Sequence, residues 1–451
     1  MNAIAPSRRR GVCPGLAAPM QTGDGLLARL ASPGATIGLA PLAALCAAAR
    51  RYGNGIIEVT ARGSIQIRGL TVVSAPAFAD MVAALDIDAG DGVPILTDPL
   101  AGLEPKPACD ADSLAGALRQ RLAAASFASM LGPKVSVVID GGSALHLDAV
   151  LADIRLRACA GLAGWHVSLG GNAASAAPLG GVAPKNAVDA VARLLETIAQ
   201  QGPQARARDL LRDHGPGPFR AVIADVLIEA PGPAARPASD PIGIHPLRDA
   251  GVALGIGPAF GHTDADALES LIKAAARAGA SGLRTVPRRA LLVIGLTPDA
   301  APALAAQAEE LGFITRRDDP RRNVVACAGA PICASAEIPA RALAPLIGSA
   351  AASLLDGSLM VHLSGCPKGC AHPGRSALTI VGRQHGCGLV VGGSAGEHPD
   401  ATIAATALPA ALARIAGEVA RVGRPGEAAA DTLARLGTAR LATTFGAVRH
   451  G

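Results

Sequence analysis

Aromatic residues are nearly missing from this chain: they make up 2% of 451 residues, with one Trp and one Tyr. Single-stranded nucleic acid is gripped by stacking its bases on aromatic rings, so a chain this poor in them is not built for that task. Charged residues are also few, at 17%. The net charge of +5 is too small for a nucleic-acid surface, although it suits an acidic small molecule. No apolar run reaches the roughly 18 uncharged residues of a membrane helix. Arg8, Arg9 and Arg10 open the chain, but Gly11 to Gln21 is interrupted by Pro14, Gly15 and Pro19 and makes a poor signal segment. The expectation is a cytoplasmic protein with no membrane or nucleic-acid partner. No G-x-G-x-x-G opens a helix: Gly255, Gly257 and Gly261 have the wrong spacing and enclose Pro258. What the chain does have is a hydrophobic content of 50%, enough for a large core of Ala, Leu, Val and Ile.

An internal repeat organises the chain. Shifted by 226 residues, Leu42, Leu45, Ala48, Ala49, Arg51, Gly53, Arg62, Gly69 and Leu70 fall on Leu268, Leu271, Ala274, Ala275, Arg277, Gly279, Arg288, Gly295 and Leu296. That is nine identities in 29 positions; composition alone would give about three or four. Leu42, Leu45, Cys46 and Ala49 form one helical face, repeated by Leu268, Leu271, Ile272 and Ala275. Each helix is followed by a Gly and two predicted strands, Gly55–Thr60 with Ser64–Leu70 and Gly282–Val286 with Ala290–Leu296. The same offset carries Val135, Val137 and Ile154 onto Val361, Leu363 and Ile380. The fold class is therefore α+β and duplicated. Short helix–strand–strand units cannot bury a sheet alone, so the two are expected to pair.

Nine cysteines are present, and four cluster late. Cys327 and Cys333 are separated by five residues, Cys366 and Cys370 by three. Both pairs lie in Gly/Pro-rich loops after apolar strand-like runs. A cubane cluster needs four thiolates converging from such loops, with backbone N–H groups aimed at sulfur. The spacing predicts a [4Fe–4S] cluster on Cys327, Cys333, Cys366 and Cys370. Structural zinc is the alternative, but five intervening residues are wide for it; four unrelated core cysteines are another. Cys13, Cys46, Cys109, Cys159 and Cys387 lie outside the paired motif and are not expected to be ligands.

With this cysteine pattern on the second copy of a duplicated chain, the sequence resembles the nitrite/sulfite reductase superfamily. Thr60-Ala61-Arg62-Gly63-Ser64-Ile65-Gln66-Ile67-Arg68-Gly69 is similar to that family's T-x-R-x-x-x-Q-x-x-G strand. The resemblance covers most of residues 11–395. It departs from the reductases where they carry a K-x-K pair, because this chain reads Lys134-Val135-Ser136, and in the loop Cys366-Pro367-Lys368-Gly369-Cys370-Ala371-His372-Pro373, which lacks their Asn and the Arg that follows. No N-R-N segment is found near Pro99–Cys109. That loop and Cys13-Pro14-Gly15 look like the monooxygenase branch of the superfamily, the precorrin-3B synthase family.

The resemblance implies an internally duplicated nitrite/sulfite-reductase-like architecture, with two ferredoxin-like half units that pair and two α/β segments, the second holding the iron–sulfur cluster. The expected boundaries are 1–75, 76–230, a Pro/Ala-rich linker at 231–240, 241–300 and 301–451. It implies O2-dependent hydroxylation of precorrin-3A at C20, with γ-lactone formation from the ring A acetate, in aerobic cobalamin biosynthesis. It also implies a mononuclear non-haem iron and an electron-donor reductase using NADH. A siroheme-dependent sulfite or nitrite reductase is the alternative enzyme, with siroheme bound only in that case. An iron–sulfur electron carrier or scaffold is the non-enzyme alternative. A tetrapyrrole with many carboxylates needs cations, and the substrate-binding candidates are Arg62, Gln66, Arg68, Lys134, Arg288, Arg289 and Lys368. His362 and His372 flank the Cys366–Cys370 loop and are the local candidates for a second iron, whose ligands the residues leave open.

Overall fold

The computed structural model describes residues 14–446 except 31–33, 35, 86, 88–91, 106–107 and 160–163; Cys13 lies outside the described residues. The repeat is visible in the strand pairing. In the first half, Ile56–Val59 pairs antiparallel with Ile65–Leu70, Ile57 opposite Ile67. In the second, Gly282–Val286 pairs with Ala290–Leu296, Leu283 opposite Val293, at the same offset of 226. The two halves also exchange edge strands. Ile37–Gly38 pairs with Gly282–Val286, and His262–Asp264 pairs with Ile56–Val59. Each half thus covers an open edge of the other's sheet, which would otherwise expose unpaired backbone groups.

One core joins the two units. Helix Leu39–Tyr52 buries Leu42, Leu45, Cys46, Ala48 and Ala49, and helix Ala265–Arg277 buries Leu268, Leu271, Ile272, Ala274 and Ala275. These faces meet each other and the inner sides of both sheets in a single cluster. The predicted pairing of the half units is therefore observed. At the rim, Arg50 bridges Asp266 at 2.9 Å and Glu269 at 2.5 Å.

Two further sheets, each mixed, follow their half units. One runs Leu227–Ile228, Ala177–Val182, Gly164–Gly171, Ala152–Cys159, Val137–Asp140, Ile95–Thr97; the other runs Val324–Ala326, Val361–Ser364, Ser376–Arg383, Gly386–Gly393, Ala401–Ile403. Here the expected offset fails. Parallel registers set Ile95 beside Val137 and Val137 beside Ile154 in the first, and Val324 beside Val361 and Val361 beside Leu378 in the second. Val137, not Val135, is the counterpart of Val361, and Ile154 is the counterpart of Leu378. A slip of two residues keeps every side chain on its face, so the apolar pattern agrees in the wrong register too. Among the described residues no helix is long and apolar enough to cross a membrane.

Candidate functional site

The first-half sheet turns a polar face toward the second half. Register places Arg29 opposite Gln66, Gln66 opposite Glu58 and Glu58 opposite His262. Residues directly opposite in antiparallel strands share a face, so these four form one row across the sheet. The neighbouring residues Ala28, Ile57 and Ile67 point the other way, into the joint core. Hydrogen bonding sets the Gln66 amide: its nitrogen donates to Glu58 Oε2 at 2.9 Å, and its oxygen accepts from Arg29 Nη2 at 2.8 Å.

Arg68 lies two residues along from Gln66 on the same face. Its guanidinium grips Asp24 with two bonds, Nε to Oδ2 at 2.7 Å and Nη2 to Oδ1 at 2.6 Å, and reaches Glu58 Oε1 at 3.3 Å. Burial alone would raise the Asp24 carboxyl; the Arg68 bond and charge more than offset this and hold it below the usual carboxylate range. Glu58 is raised, because burial outweighs Arg68 there. His262 is pushed down to about 4, first by burial and then by Arg341, so its imidazole is neutral. Neither His262 ring nitrogen has a hydrogen-bond partner among the described residues. Beside it opens a cleft of about 210 Å³ lined by Phe260, Arg341, Leu311 and Phe313 among others.

The four predicted cysteines converge against this face. Cys327 and Cys333 follow strand Val324–Ala326, and Cys366 and Cys370 follow strand Val361–Ser364, its parallel neighbour. Cys366 and Cys370 lie close enough to Cys327, and Cys366 and Cys333 close enough to Cys370, to add to the burial that raises those two thiols. The Gly365 N–H donates to Cys327 Sγ at 3.1 Å. Burial pushes the Cys327 thiol up to about 11, against the pull of N–H groups from Gly365 and Gly329. First-half residues complete the pocket. Gly23 has no room for a Cβ, which would collide with Cys333 Sγ, and its carbonyl accepts from Ala334 N at 2.8 Å. The Arg68 charge bears on Cys370. Four thiols, N–H groups aimed at sulfur and a cradle closed to side chains fit a cubane cluster. Cys370 is the exposed member, so the pocket opens on its side. Cys46 and Cys387 are buried in separate apolar cores, and Cys109 and Cys159 lie in the first α/β segment.

The predicted cations divide into groups. Arg289 Nη2 donates to Ala371 O at 3.0 Å, beside Cys370, while Lys368 is exposed and donates to Ser335 Oγ at 3.0 Å. Arg62 stands on the first hairpin tip, with Nη1 on Leu151 O at 2.8 Å. Arg288 turns away from the cysteines to Ser239 O at 2.6 Å, and Lys134 is exposed in the turn before strand Val137–Asp140. Of the neighbouring pair, Arg289 is the one on the cysteine side. Arg29, Asp24, Glu58 and His262 were not anticipated. Only strand pairing brings them together, and one sequence carries no direct signal of which strands pair.

His362 is fully buried on strand Val361–Ser364, its centroid 5.6 Å from that of His372. Burial, then His372 and Arg289, pushes it down to about 4. Both of its ring nitrogens lack hydrogen-bond partners among the described residues. His372 Nε2 lies 3.2 Å from Arg375 O. Among the described residues no carboxylate joins these two imidazoles and the Arg289 guanidinium in a metal-ligating group, so the arrangement does not fit a mononuclear iron site.

The family model for the nitrite/sulfite reductase ferredoxin-like half domain matches residues 18–85. A precorrin-3B synthase of Sinorhizobium sp is 42% identical over 442 residues, spanning 97% of this chain and 95% of that one. A ferredoxin–nitrite reductase of Synechococcus elongatus is 27% identical over 79% of this chain and 76% of its own. The fold matches the structure of the Mycobacterium tuberculosis NirA protein, with a TM-score of 0.72 and 19% identity over 92% of this chain and 84% of that one. The chain belongs to the precorrin-3B synthase family, within the nitrite/sulfite reductase superfamily.

Proposed function

We propose that this chain is a precorrin-3B synthase: it hydroxylates precorrin-3A at C20 with O2 and closes the γ-lactone from the ring A acetate. Near full-length similarity to a precorrin-3B synthase carries this reading. One oxygen atom enters the product; the other leaves as water with two electrons and two protons from an external donor, a reductase using NADH.

Ordinary side chains cannot reduce O2, and a [4Fe–4S] cluster on Cys327, Cys333, Cys366 and Cys370 would supply electrons one at a time when bound. The remaining work falls to residues of this chain. Arg289 and Lys368 lie beside the open side of the cysteine pocket, and together with Arg62 on the adjoining hairpin tip they would pair with the substrate's carboxylates, which are costly to desolvate alone. Arg68 has its strongest donors committed to Asp24, so its part is to hold the polar row in place. Gln66 and Glu58 fix Arg29 at the end of that row. The strand membership of the four sheets supports a division of the chain near residue 75 and at 231–240, while strand Phe313–Ile314, paired with Val252–Pro258, carries the second half unit past residue 300.

The test is incubation of the cluster-loaded chain with precorrin-3A, 18O2 and a reductant, with mass analysis. A product carrying one 18O is expected. Similarity to a nitrite reductase keeps one rival in view. Strong Soret absorption in the purified protein, with nitrite or sulfite reduction and no precorrin-3A turnover, would establish a siroheme reductase instead.

A further inference from the structure

The duplication gives the cysteine pocket a counterpart in the first half. By the parallel registers, Ile95 corresponds to Val324, Val137 to Val361 and Ile154 to Leu378. Counting forward from these strands, Asp98 stands at the position of Cys327, Glu104 at that of Cys333, Gly142 at that of Cys366 and His146 at that of Cys370. The backbone agrees: Gly141 N donates to Asp98 Oδ2 as Gly365 N donates to Cys327 Sγ. The loop architecture of the cluster pocket is kept, and its sulfur is gone.

A cation already occupies the counterpart pocket, and it comes from the linker. Arg236 Nη2 contacts Asp140 Oδ2 and also Asp148 Oδ1 at 2.6 Å; Nη1 reaches Asp140 Oδ1 at 3.2 Å and Nε reaches Asp148 Oδ2 at 3.0 Å. Asp140 is fully buried and sits against Asp98, also buried, whose carboxyl is raised by burial and then by Asp140. The linker is fastened along its length. Arg157 Nη2 donates to Ala234 O at 2.7 Å, His146 Nε2 meets Pro237 O at 2.8 Å, and Ser239 Oγ donates to His146 O at 3.1 Å. Arg288 holds Ser239 O at 2.6 Å. Pro233, Arg236 and Ser239 are half-buried while the residues between them are exposed. A three-residue period is that of an extended polyproline-type strand laid with one face down.

We propose that the linker is a plug: Arg236 is the resident cation of a pocket descended from the same architecture as the cluster pocket, and by filling it leaves one cofactor-and-substrate site per chain. Arg236, Arg157 and Arg155 all bear on Asp140 and Asp148, so this carboxylate pair already has its counter-ions and does not call for a metal ion. The proposal rests on the functional reading only for what the second pocket holds.

The test uses the full cluster-loaded chain and Arg236→Ala. Elastase, which cuts after alanine, should cleave within residues 231–240 roughly tenfold faster in the variant, because local opening sets the rate. Manganese(II), which suits carboxylate and imidazole ligands and is visible by EPR, should bind the variant at Asp140, His146 and Asp148, whose ligand atoms lie within 4.8 Å of one another, and should not bind the wild type. Wild-type cleavage rates in the variant, or equal manganese binding by both, would overturn the proposal. Because Arg236→Ala leaves the fully buried Asp140 without its partner and so threatens folding, Arg236→Met with Asp140→Asn is the second variant. It should fold and still release the linker; a protected linker there would also overturn the proposal. The cluster absorption of the wild type reads out separately: its absence would sink the functional reading and leave the linker result standing.

Discussion

Across the first-half sheet one row reads Arg29, Gln66, Glu58, His262; the second-half row at the 226-residue offset reads Gly255, Leu292, Arg284 and, counted backwards, Thr36. The first row is polar and lies under the cysteine loops. In the second, a glycine and a leucine replace two of its members, and Arg284 is spent on the carbonyls of Pro99 and Ala101, at 2.9 and 3.0 Å, beneath the Asp98 pocket. The core-facing residues show no such divergence: Ile57 and Ile67 become Leu283 and Val293. Duplication has held the apolar period that the shared core requires and released the face that meets ligands. A symmetric scaffold therefore carries one chemically equipped site and one closed one.

The largest expected effect tests that asymmetry at its centre. Replacing Cys327, Cys333, Cys366 or Cys370 with Ser should abolish acid-labile sulfide, whereas Ser at Cys46, Cys109, Cys159 or Cys387 should leave about four iron and four sulfide per chain. A zinc-only protein would remove the basis of the comparison. Next comes the arginine of each face. Arg68→Met strands Asp24, whose side chain is 1% exposed, together with Glu58, and should lower stability by about 3–5 kcal/mol in urea unfolding. Arg284→Met strands two carbonyls and the Thr36 hydroxyl but no carboxylate, and should lower it by about 1–3 kcal/mol. Equal losses would mean that the two faces do not differ in charge organisation.

Substrate binding separates the two hairpin tips. Arg62→Ala should weaken precorrin-3A binding by roughly 1.5–3 kcal/mol with the cluster intact, and Lys at that position should recover only part of it if the grip is bidentate. Arg288→Ala, at the equivalent position of the second tip, should leave affinity unchanged, because that side chain holds the linker. Equal losses in both would place Arg288 in the substrate site.

His262 supplies a pH test, because its counterpart Thr36 cannot titrate. Burial, then Arg341, holds the folded His262 at about 4 against an ordinary 6.5. Glu58, Arg68, Arg341 and Asp264 are the charged groups around it. A depressed histidine means that the unfolded chain binds more protons between those values, so its stabilising contribution is full above pH 6.5 and is lost toward pH 4. By pH 5 the loss should be about 2 kcal/mol. Glu58, which is raised, acts in the opposite direction, so the measurement is the difference between wild type and His262→Thr. An identical pH slope in the two would show that His262 titrates in the fold as it does in the unfolded chain, with no depression by burial.

The repeat was legible because helix and hairpin keep one offset without a gap from Leu42 to Leu70. The cysteines were legible because their spacing and loop composition are themselves the chemistry. Beyond the hairpins the offset changes, since the loops between strands differ in length while the strand faces do not. Arg68 looked like a carboxylate binder for a substrate; Asp24, 44 residues away, has already taken that role inside the fold. Glu58 and His262 became neighbours only through an edge strand contributed by the other half. Arg236 lay in a segment whose composition announced a connector and concealed a counter-ion.

The smallest effect concerns the tips themselves, where Ala61-Arg62-Gly63 meets Pro287-Arg288-Arg289. The first tip uses glycine at its left-handed position, with φ of 83° at Gly63, while the second holds Arg288 and Arg289 at φ of 69° and 59°. A non-glycine residue there costs about 1–2 kcal/mol. Arg289→Gly relieves that strain, adds unfolded-chain entropy of about 0.5–1 kcal/mol and forfeits the bond to Ala371, worth about 1 kcal/mol. These terms nearly cancel, so unfolding stability should stay within about 1 kcal/mol of wild type. Precorrin-3A affinity should nevertheless fall by roughly tenfold, because the guanidinium beside Cys370 is gone. A residue serving only the fold would give the reverse pattern, with stability lost and affinity kept. The strain at this tip is then explained by what its side chain reaches, since the first tip shows that the same turn can be built with glycine.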